Sequence, residues 1–156
     1  MIRKLLLATA VVATVGTCSS LTAPQSAEAQ ITYRQYYAAW CYYPQRKYYY
    51  RRYYYKPTVN FRGYKHHYTI YYPTRPNYVY YYNPHRKVFW GRYDLEQEGY
   101  SMLAKDDQDG ELKNIDESSF PPPGKMPDIP DSKDGIKIDR LPRHDLPELG
   151  TPEDAP

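Results

Sequence analysis

Apolar and aromatic residues between Gln30 and Tyr93 fall in short runs, each closed by proline, glycine or asparagine. The clearest case is residues 78–93, where two runs of β-favouring residues flank Asn83 and Pro84. Asn followed by Pro suits the first two positions of a type I turn, and the short connection suits two antiparallel strands. The pattern therefore predicts a β-hairpin over residues 78–93.

Alternation with a period of two assigns the side chains of this hairpin to opposite faces. On the first strand one face carries Tyr78, Tyr80 and Tyr82 and the other carries Val79 and Tyr81. On the second strand one face carries Val88, Trp90 and Arg92 and the other carries Phe89, Gly91 and Tyr93. Gly91 marks a bulge or a place where a neighbouring ring lies over the backbone.

Two more runs extend the hairpin into a sheet. Residues 67–72 end at Pro73, and residues 48–55 contain two tyrosine triplets before Pro57. We therefore predict a mainly β fold, a small antiparallel meander of three or four aromatic-rich strands. Upstream of these runs the pattern does not decide between a short helix and another strand. The helix is favoured by aromatic residues that recur at helical spacing: Tyr33, Tyr36, Tyr37 and Trp40.

Composition divides the chain into a head and a tail. The predicted basic β module spans residues 30–99, an acidic connecting segment spans 100–120, and a proline-rich acidic tail spans 121–156. The tail is polar and holds few apolar anchors, so we expect it to be largely disordered. Its one candidate for a short docking strand is Ile136 to Ile138.

Charge follows the same division. Residues 30–93 hold twelve Lys and Arg with no Asp or Glu, whereas residues 94–156 hold seventeen acids and seven bases. Twenty of the 21 tyrosines lie in the basic part. Because the tail is tethered to the head, its effective concentration there is high. We therefore expect the acidic tail to fold back and mask the basic surface.

The first 29 residues have the features of a secretory signal peptide. Arg3 and Lys4 precede a short apolar run, and Ala27 to Ala29 form a small-residue cleavage site. An alternative is lipid attachment at Cys18. If the signal is removed, Cys41 is the lone cysteine. It could form an intermolecular disulfide or be a reactive thiol, but the favoured interpretation is a small buried hydrophobe.

The residue types of the head exclude several kinds of catalysis. Without Asp, Glu or Ser in residues 30–93 there are no paired carboxylates, no serine triad and no carboxylate metal site there. His66 and His67 would point to opposite faces of a strand and not share an ion. Residues 105–110 lack the first carboxylate of a calcium loop. We expect no enzyme activity, no metal and no cofactor.

What remains is a surface of cations and flat rings, which suits an anionic or carbohydrate polymer. The candidate ligand-binding residues lie near one end of the hairpin: Tyr80, Tyr82, Arg86, Lys87, Trp90 and Arg92. The favoured function is structural or adhesive at the cell envelope, with possible self-association through Cys41 or an edge strand. The alternative is a binding module for an anionic or carbohydrate polymer, such as an anionic polysaccharide or another polyanion, whose basic surface is masked by the acidic tail.

Two segments, residues 67–73 (HYTIYYP) and 78–95 (YVYYYNPHRKVFWGRYDL), resemble segments of small tyrosine-rich exported bacterial proteins. Residues 120–130 (FPPPGKMPDIP) are similar to the tails of those proteins. The resemblance covers about half of the chain after the signal, and its distinctive part is Trp90-Gly91-Arg92. It implies export to the periplasm, the cell surface or the medium, together with the hairpin. It implies no activity.

Overall fold

A computed structural model describes residues 34–141 and 143–147. The predicted signal peptide, Cys18 and Tyr33 lie outside the described residues. The fold is built on one antiparallel sheet of seven strands. The strands are β1 (Gln35–Tyr37), β2 (Cys41–Tyr43), β3 (Tyr48–Tyr55), β4 (Lys65–Tyr71), β5 (Tyr78–Asn83), β6 (Val88–Asp94) and β7 (Gly99–Met102).

Strand order explains why the sheet is larger than predicted. The order is β1, β3, β4, β5, β6, β7, and β2 pairs with the same side of β3 as β1. Between them the Ala38 amide donates to the Arg52 carbonyl oxygen at 2.9 Å. The prediction of a mainly β antiparallel fold is confirmed, but the predicted number of three or four strands is wrong, because the sheet has seven. The upstream segment, for which a short helix and a strand were both considered, forms the strands β1 and β2.

The described helical pieces are single 3-10 turns at Pro44–Arg46, Lys105–Asp107, Leu112–Asn114, Glu117–Ser119 and Arg143–Asp145. None of the helices in the described ranges has the length and apolar character needed to cross a membrane. Lys47 and Lys87 adopt positive φ values of 52° and 56° where they close the β2–β3 and β5–β6 connections. In the second connection Asn83 Oδ1 accepts from the amides of His85 and Arg86 at 2.9 and 3.1 Å.

A bulge on β6 changes which side chains share a face. Tyr82 lies opposite Phe89 and Tyr81 lies opposite Gly91, so Trp90 has no partner in the register. Phe89 and Arg92 therefore join Tyr80 and Tyr82 on one face, while Trp90 lies on the other. The regular alternation predicted for β6 is wrong at this point, and the bulge expected near Gly91 is confirmed.

The two faces of the sheet carry separate apolar clusters. We call one the tail face and the other the groove face. The tail-face cluster contains Tyr53, Tyr55, Tyr71, Val79, Tyr81, Trp90, Tyr93 and Tyr100. The groove-face cluster contains Ile70, Tyr80 and Phe89, with Tyr48, Tyr50, Tyr68, Tyr72, Tyr78 and Tyr82 packed around them.

The chain after β7 covers both faces in turn. Leu103, Ile115 and Phe120 pack on the groove face. The chain then passes the β7 edge, where Gly124 and Tyr100 exchange two backbone hydrogen bonds of 2.9 Å. Beyond it, four apolar side chains are buried against the tail face: Met126, Ile129, Ile138 and Leu141.

The expectation of disorder from Pro121 is therefore wrong for residues 121–141 and 143–147. Their few apolar residues suffice because the sheet already offers a preformed aromatic surface to bury them. Asp128 and Lys137 form an antiparallel bridge within this segment, and Gln35 Nε2 donates to the Lys137 carbonyl oxygen at 2.8 Å. Ile136 to Ile138 therefore dock on the tail face, with Ile138 buried, but they form an isolated bridge with Asp128 and not the predicted strand.

Candidate binding groove

Residues 103–120 cover only part of the groove face. On this face, seven aromatic rings line a groove of about 440 Å³ that runs over strands β2 to β6. Residues 110–112 form its opposite wall. The rings are Tyr43, Tyr48, Tyr50, Tyr68, Tyr72, Tyr82 and Phe89, with Ile70 and Leu112 between them.

Strand geometry places these rings together. Tyr43 and Tyr48 are paired in register and their ring centroids lie 5.5 Å apart. Tyr48 contacts Tyr72 edge to face at 5.3 Å, and Tyr50 contacts Tyr68 in the same way at 5.9 Å. Edge-to-face contacts hold each ring in a fixed orientation. The groove is therefore formed before any ligand arrives.

Burial strengthens the preference of two groove tyrosines, Tyr48 and Tyr72, for the neutral phenol form. Loss of hydration raises the pKa of Tyr72 to about 12, and burial likewise raises the pKa of Tyr48. At neutral pH both hydroxyls can therefore donate as well as accept hydrogen bonds. The groove combines flat apolar ring surface with neutral hydroxyl groups at its edges.

An ion pair lies at one end of the groove. Arg46 Nη1 is 3.5 Å from Glu111 Oε1, and both side chains are largely exposed. From this pair a second cleft of about 400 Å³ continues, bordered also by Arg75 and Lys113. The two clefts share Arg46, Tyr48, Tyr72, Glu111 and Leu112. One continuous depression therefore has an aromatic part and a cationic part.

The six binding residues predicted from the sequence do not form one site. Only Tyr82 lines the groove. Tyr80 is fully buried on the same face, with its ring centroid 6.1 Å from that of Phe120. Arg86 and Lys87 are exposed in the β5–β6 turn, away from the lining of the clefts.

The remaining two predicted residues have structural contacts. Trp90 packs on the tail face, with its ring centroid 5.2 Å from that of Tyr81. The Arg92 guanidinium lies between the rings of Tyr78 and Phe120, 3.9 and 4.1 Å from their centroids. It also forms an ion pair with Glu117. Arg92 is thus used to fasten residues 117–120 to the sheet.

Sequence reasoning did not single out most residues of the groove. The alternation of β3 assigns Tyr48 and Tyr50 to one face, and that of β4 assigns Tyr68 to the matching face. The register Tyr50 to Ile70 brings these strands side by side. The period-two signal was present in the sequence, but the pairing of β3 with β4 and the course of residues 103–120 were not.

Cys41, His66 and His67 lie on different strands or faces of the sheet. Cys41 is a free thiol exposed on β2, so its favoured interpretation as a buried hydrophobe is wrong. His67 is buried on the tail face, where its Nε2 lies 3.2 Å from the Tyr55 hydroxyl, while His66 lies across the sheet beside His85. Among the described residues no three His, Cys, Asp or Glu side chains are grouped to hold a metal ion.

Acids of the segments after β7 neutralise much of the basic head. Within the described residues six of the head's Lys and Arg side chains form ion pairs with acids from residues 111–145. The pairs are Arg34–Asp134, Arg46–Glu111, Arg51–Asp145, Lys65–Asp131, Arg75–Glu117 and Arg92–Glu117. The basic surface expected from the sequence is therefore much reduced in the fold.

No protein-family model, no curated protein and no solved structure matches the chain.

Proposed function

We propose that this protein is an exported, non-enzymatic binding module that holds a carbohydrate polymer in the groove, with an adhesive role at the cell envelope. The observation that supports the proposal is the row of seven preorganised aromatic rings lining an open groove. Export is supported by the signal-like features of residues 1–29.

Sugars suit this surface for a physical reason. A pyranose ring presents C–H groups on its faces and hydroxyls around its rim, so it packs its face on an aromatic ring and hydrogen-bonds at its edges. Tyrosine offers both features, an apolar body and a polar tip. The groove is lined by residues of five neighbouring strands, β2 to β6, an extent that suits a chain of sugars more than a single small molecule.

A general attraction to polyanions has less support. Such binding depends on many unpaired cations spread over a surface. Here four cations of the head, Arg34, Arg51, Lys65 and Arg92, are held in close ion pairs by acids of residues 117–145, and Arg51 and Arg92 are buried as well. The aromatic groove, which the tail leaves uncovered, is the better candidate for the binding surface.

Adjacent tyrosines of β2 provide a matched test. Tyr43 lines the groove, whereas Tyr42 points to the opposite side of the same strand beside Tyr49. Their exposed fractions are similar, 37% and 40%. We expect Tyr43→Ala to weaken binding of neutral and acidic oligosaccharides roughly tenfold, a loss of about 1.4 kcal/mol, because it removes one ring from the groove, and Tyr42→Ala to have little effect.

Binding is measured by calorimetric titration or NMR chemical-shift mapping with a panel of cello-, xylo-, chito- and uronate oligosaccharides. Shifts should be confined to residues on the groove face. The proposal fails if no oligosaccharide of the panel binds, or if the two variants lose affinity equally.

A scaffold role by self-association is a second candidate, supported by the position of Cys41. All three residues of β2 are exposed, and this strand lies at the edge of the sheet. Edge strands pair readily with other chains. Size-exclusion chromatography with and without reductant tests this role: a dimer that reductant or Cys41→Ser abolishes supports it, and a monomer in all conditions rejects it.

A further inference from the structure

We infer that the polymer is acidic, and that the cationic part of the depression binds a carboxylate or sulfate group carried by one of its sugars. The inference rests on the proposed function and specifies its ligand. It comes from the charges around the second cleft, whose lining holds three cations, Arg46, Arg75 and Lys113, and one carboxylate, that of Glu111. A second carboxylate, that of Glu117, lies 3.7 Å from Arg75.

The cations of this cleft are available to a ligand. Arg75 is 45% exposed, and its Nη1 lies 3.7 Å from Glu117 Oε2 and 3.3 Å from the Tyr80 hydroxyl. The distance between Arg46 and Glu111 is 3.5 Å. Both ion-pair separations are longer than a charge-assisted hydrogen bond of about 2.7 to 2.9 Å. Lys113 forms no ion pair with any described residue.

The buried arginines of the same protein show the contrast. Arg51 Nη1 is 2.7 Å from Asp145 Oδ2 and only 3% of its side chain is exposed. Its guanidinium also lies against two aromatic rings. The Arg51 guanidinium is therefore fully engaged in contacts within the fold. Arg46, Arg75 and Lys113 are exposed, loosely paired or unpaired, and adjacent to ring-lined space, so they remain able to receive an anion.

The spatial order of the two clefts determines how an acidic glycan would lie. Tyr48 and Tyr72 border both clefts. A sugar stacked on these rings therefore has its neighbour along the polymer beside Arg75 and Lys113. Flat-ring stacking would provide most of the contact area, and the cations would select the acidic sugar from neutral ones.

The test compares acidic and neutral forms of the same oligosaccharide. Oligogalacturonate, its methyl ester, a chondroitin sulfate oligosaccharide and the neutral panel are titrated into the full chain. The double variant Arg75→Gln/Lys113→Gln removes two cations from the cleft. Arg86→Gln/Lys87→Gln removes the same charge from the exposed β5–β6 turn and serves as the control. Denaturation curves verify that both variants are folded.

We expect the wild type to bind an acidic form roughly tenfold more tightly than its neutral counterpart. The cleft double variant should lose this preference and keep its neutral affinity, and the turn variant should retain both. A preference for the sulfated ligand alone would identify sulfate as the group bound, and a preference for oligogalacturonate alone would identify carboxylate.

Equal affinity for acidic and neutral forms would overturn the inference and leave the proposed function standing. Equal losses in the two double variants would also overturn it, because they would show attraction to overall charge. If neither series binds, the proposed function itself fails.

Discussion

Asp145 accepts a 2.7 Å hydrogen bond from Arg51, although the two residues are 94 positions apart in the chain. The Arg51 guanidinium lies 4.4 Å from the ring centroids of both Tyr37 and Trp40. Trp40 Nε1 also donates to the Asp145 carbonyl oxygen at 2.6 Å. One buried arginine thus joins the edge strand, the sheet and the end of the described tail.

Arg92 makes an equivalent arrangement on the groove face. Its guanidinium lies between Tyr78 and Phe120 and pairs with Glu117. Each arginine therefore fastens a different acidic segment to a different face of the sheet. A cation between rings and beside a carboxylate offsets its loss of hydration by several contacts at once. Acidic residues of the connecting segment and of the tail therefore help to hold the chain over the sheet.

Substitution of Arg51 should cost more than substitution of its neighbour Arg52. We expect Arg51→Ala to lower the free energy of unfolding by about 2 to 4 kcal/mol, because it removes two ring contacts and a buried ion pair. Arg52 is exposed on the opposite side of β3, so Arg52→Ala should change stability by about 0.5 kcal/mol or less. Urea denaturation measures both values, and equal effects would contradict the role given to Arg51.

The tail should contribute to stability through its apolar side chains. Ile129 is 1% exposed within the tail-face cluster, while Ile136 is only partly buried at its border. We expect Ile129→Ala to destabilise the fold by about 2 to 5 kcal/mol and Ile136→Ala by clearly less. A chain ending at Phe120 should lose cooperative unfolding, seen as a broad thermal transition by circular dichroism. Unchanged unfolding of that shorter chain would show that the tail adds nothing.

Stability should fall in mild acid because of His67. Burial lowers the pKa of His67 to about 4, with a smaller contribution from the positive charge of His85. An unfolded histidine has a pKa near 6.5, so the unfolded state binds more protons between these values and stability decreases as pH falls from about 6.5 to 4. The pKa difference corresponds to about 3 kcal/mol.

His67→Gln should remove most of this pH dependence. His66→Gln serves as the comparison and should remove a smaller part, because His66 lies half-buried on the opposite side of the same strand, where burial also lowers its pKa. Denaturant midpoints measured at intervals between about pH 4 and pH 7 give the comparison. The explanation is rejected if the wild type and His67→Gln lose stability in parallel over this range.

Gly91 should not tolerate a side chain. A Cβ at this position would lie 2.6 Å from Cζ of Tyr100 and 2.7 Å from the Ser101 carbonyl oxygen. We expect Gly91→Ala to cost about 1 to 3 kcal/mol, since the ring or the strand must move. Gly124→Ala is the control, because its Cβ would make an ordinary 3.8 Å contact with the Tyr100 carbonyl oxygen. Thermal denaturation of the two variants distinguishes them, and equal midpoints would refute the close approach.

Local signals in the sequence predicted the strands well. β3 occupies residues 48–55 as expected, and β5 and β6 form the predicted hairpin around Asn83 and Pro84. These elements were predictable because alternation, turn residues and proline stops all act within a few residues of one another. The bulge near Gly91 was predictable for the same reason, whereas its effect on the face of Trp90 depends on the register with β5.

The candidate site was predicted less well. The sequence indicated a surface of rings and cations, and Tyr82 alone of the proposed residues lines the groove. Arg92 and Trp90 carried the expected chemistry but are buried by contacts with distant segments. Which tyrosines stay open to a ligand depends on where residues 103–120 stop covering the sheet, and no local pattern specifies that boundary.

By itself the sequence determined a β-rich, tyrosine-based head, an acidic tail and a charge complementarity between them, since composition and alternation are properties of neighbouring residues. Only the tertiary structure decided that the tail covers one face, that Arg51 and Arg92 serve as anchors, and that an aromatic groove remains open on the other face. The physical reason is that low hydrophobicity predicts disorder for a segment considered alone. A tail with few apolar residues can still be ordered when a preformed aromatic sheet buries each of them and pairs its charges.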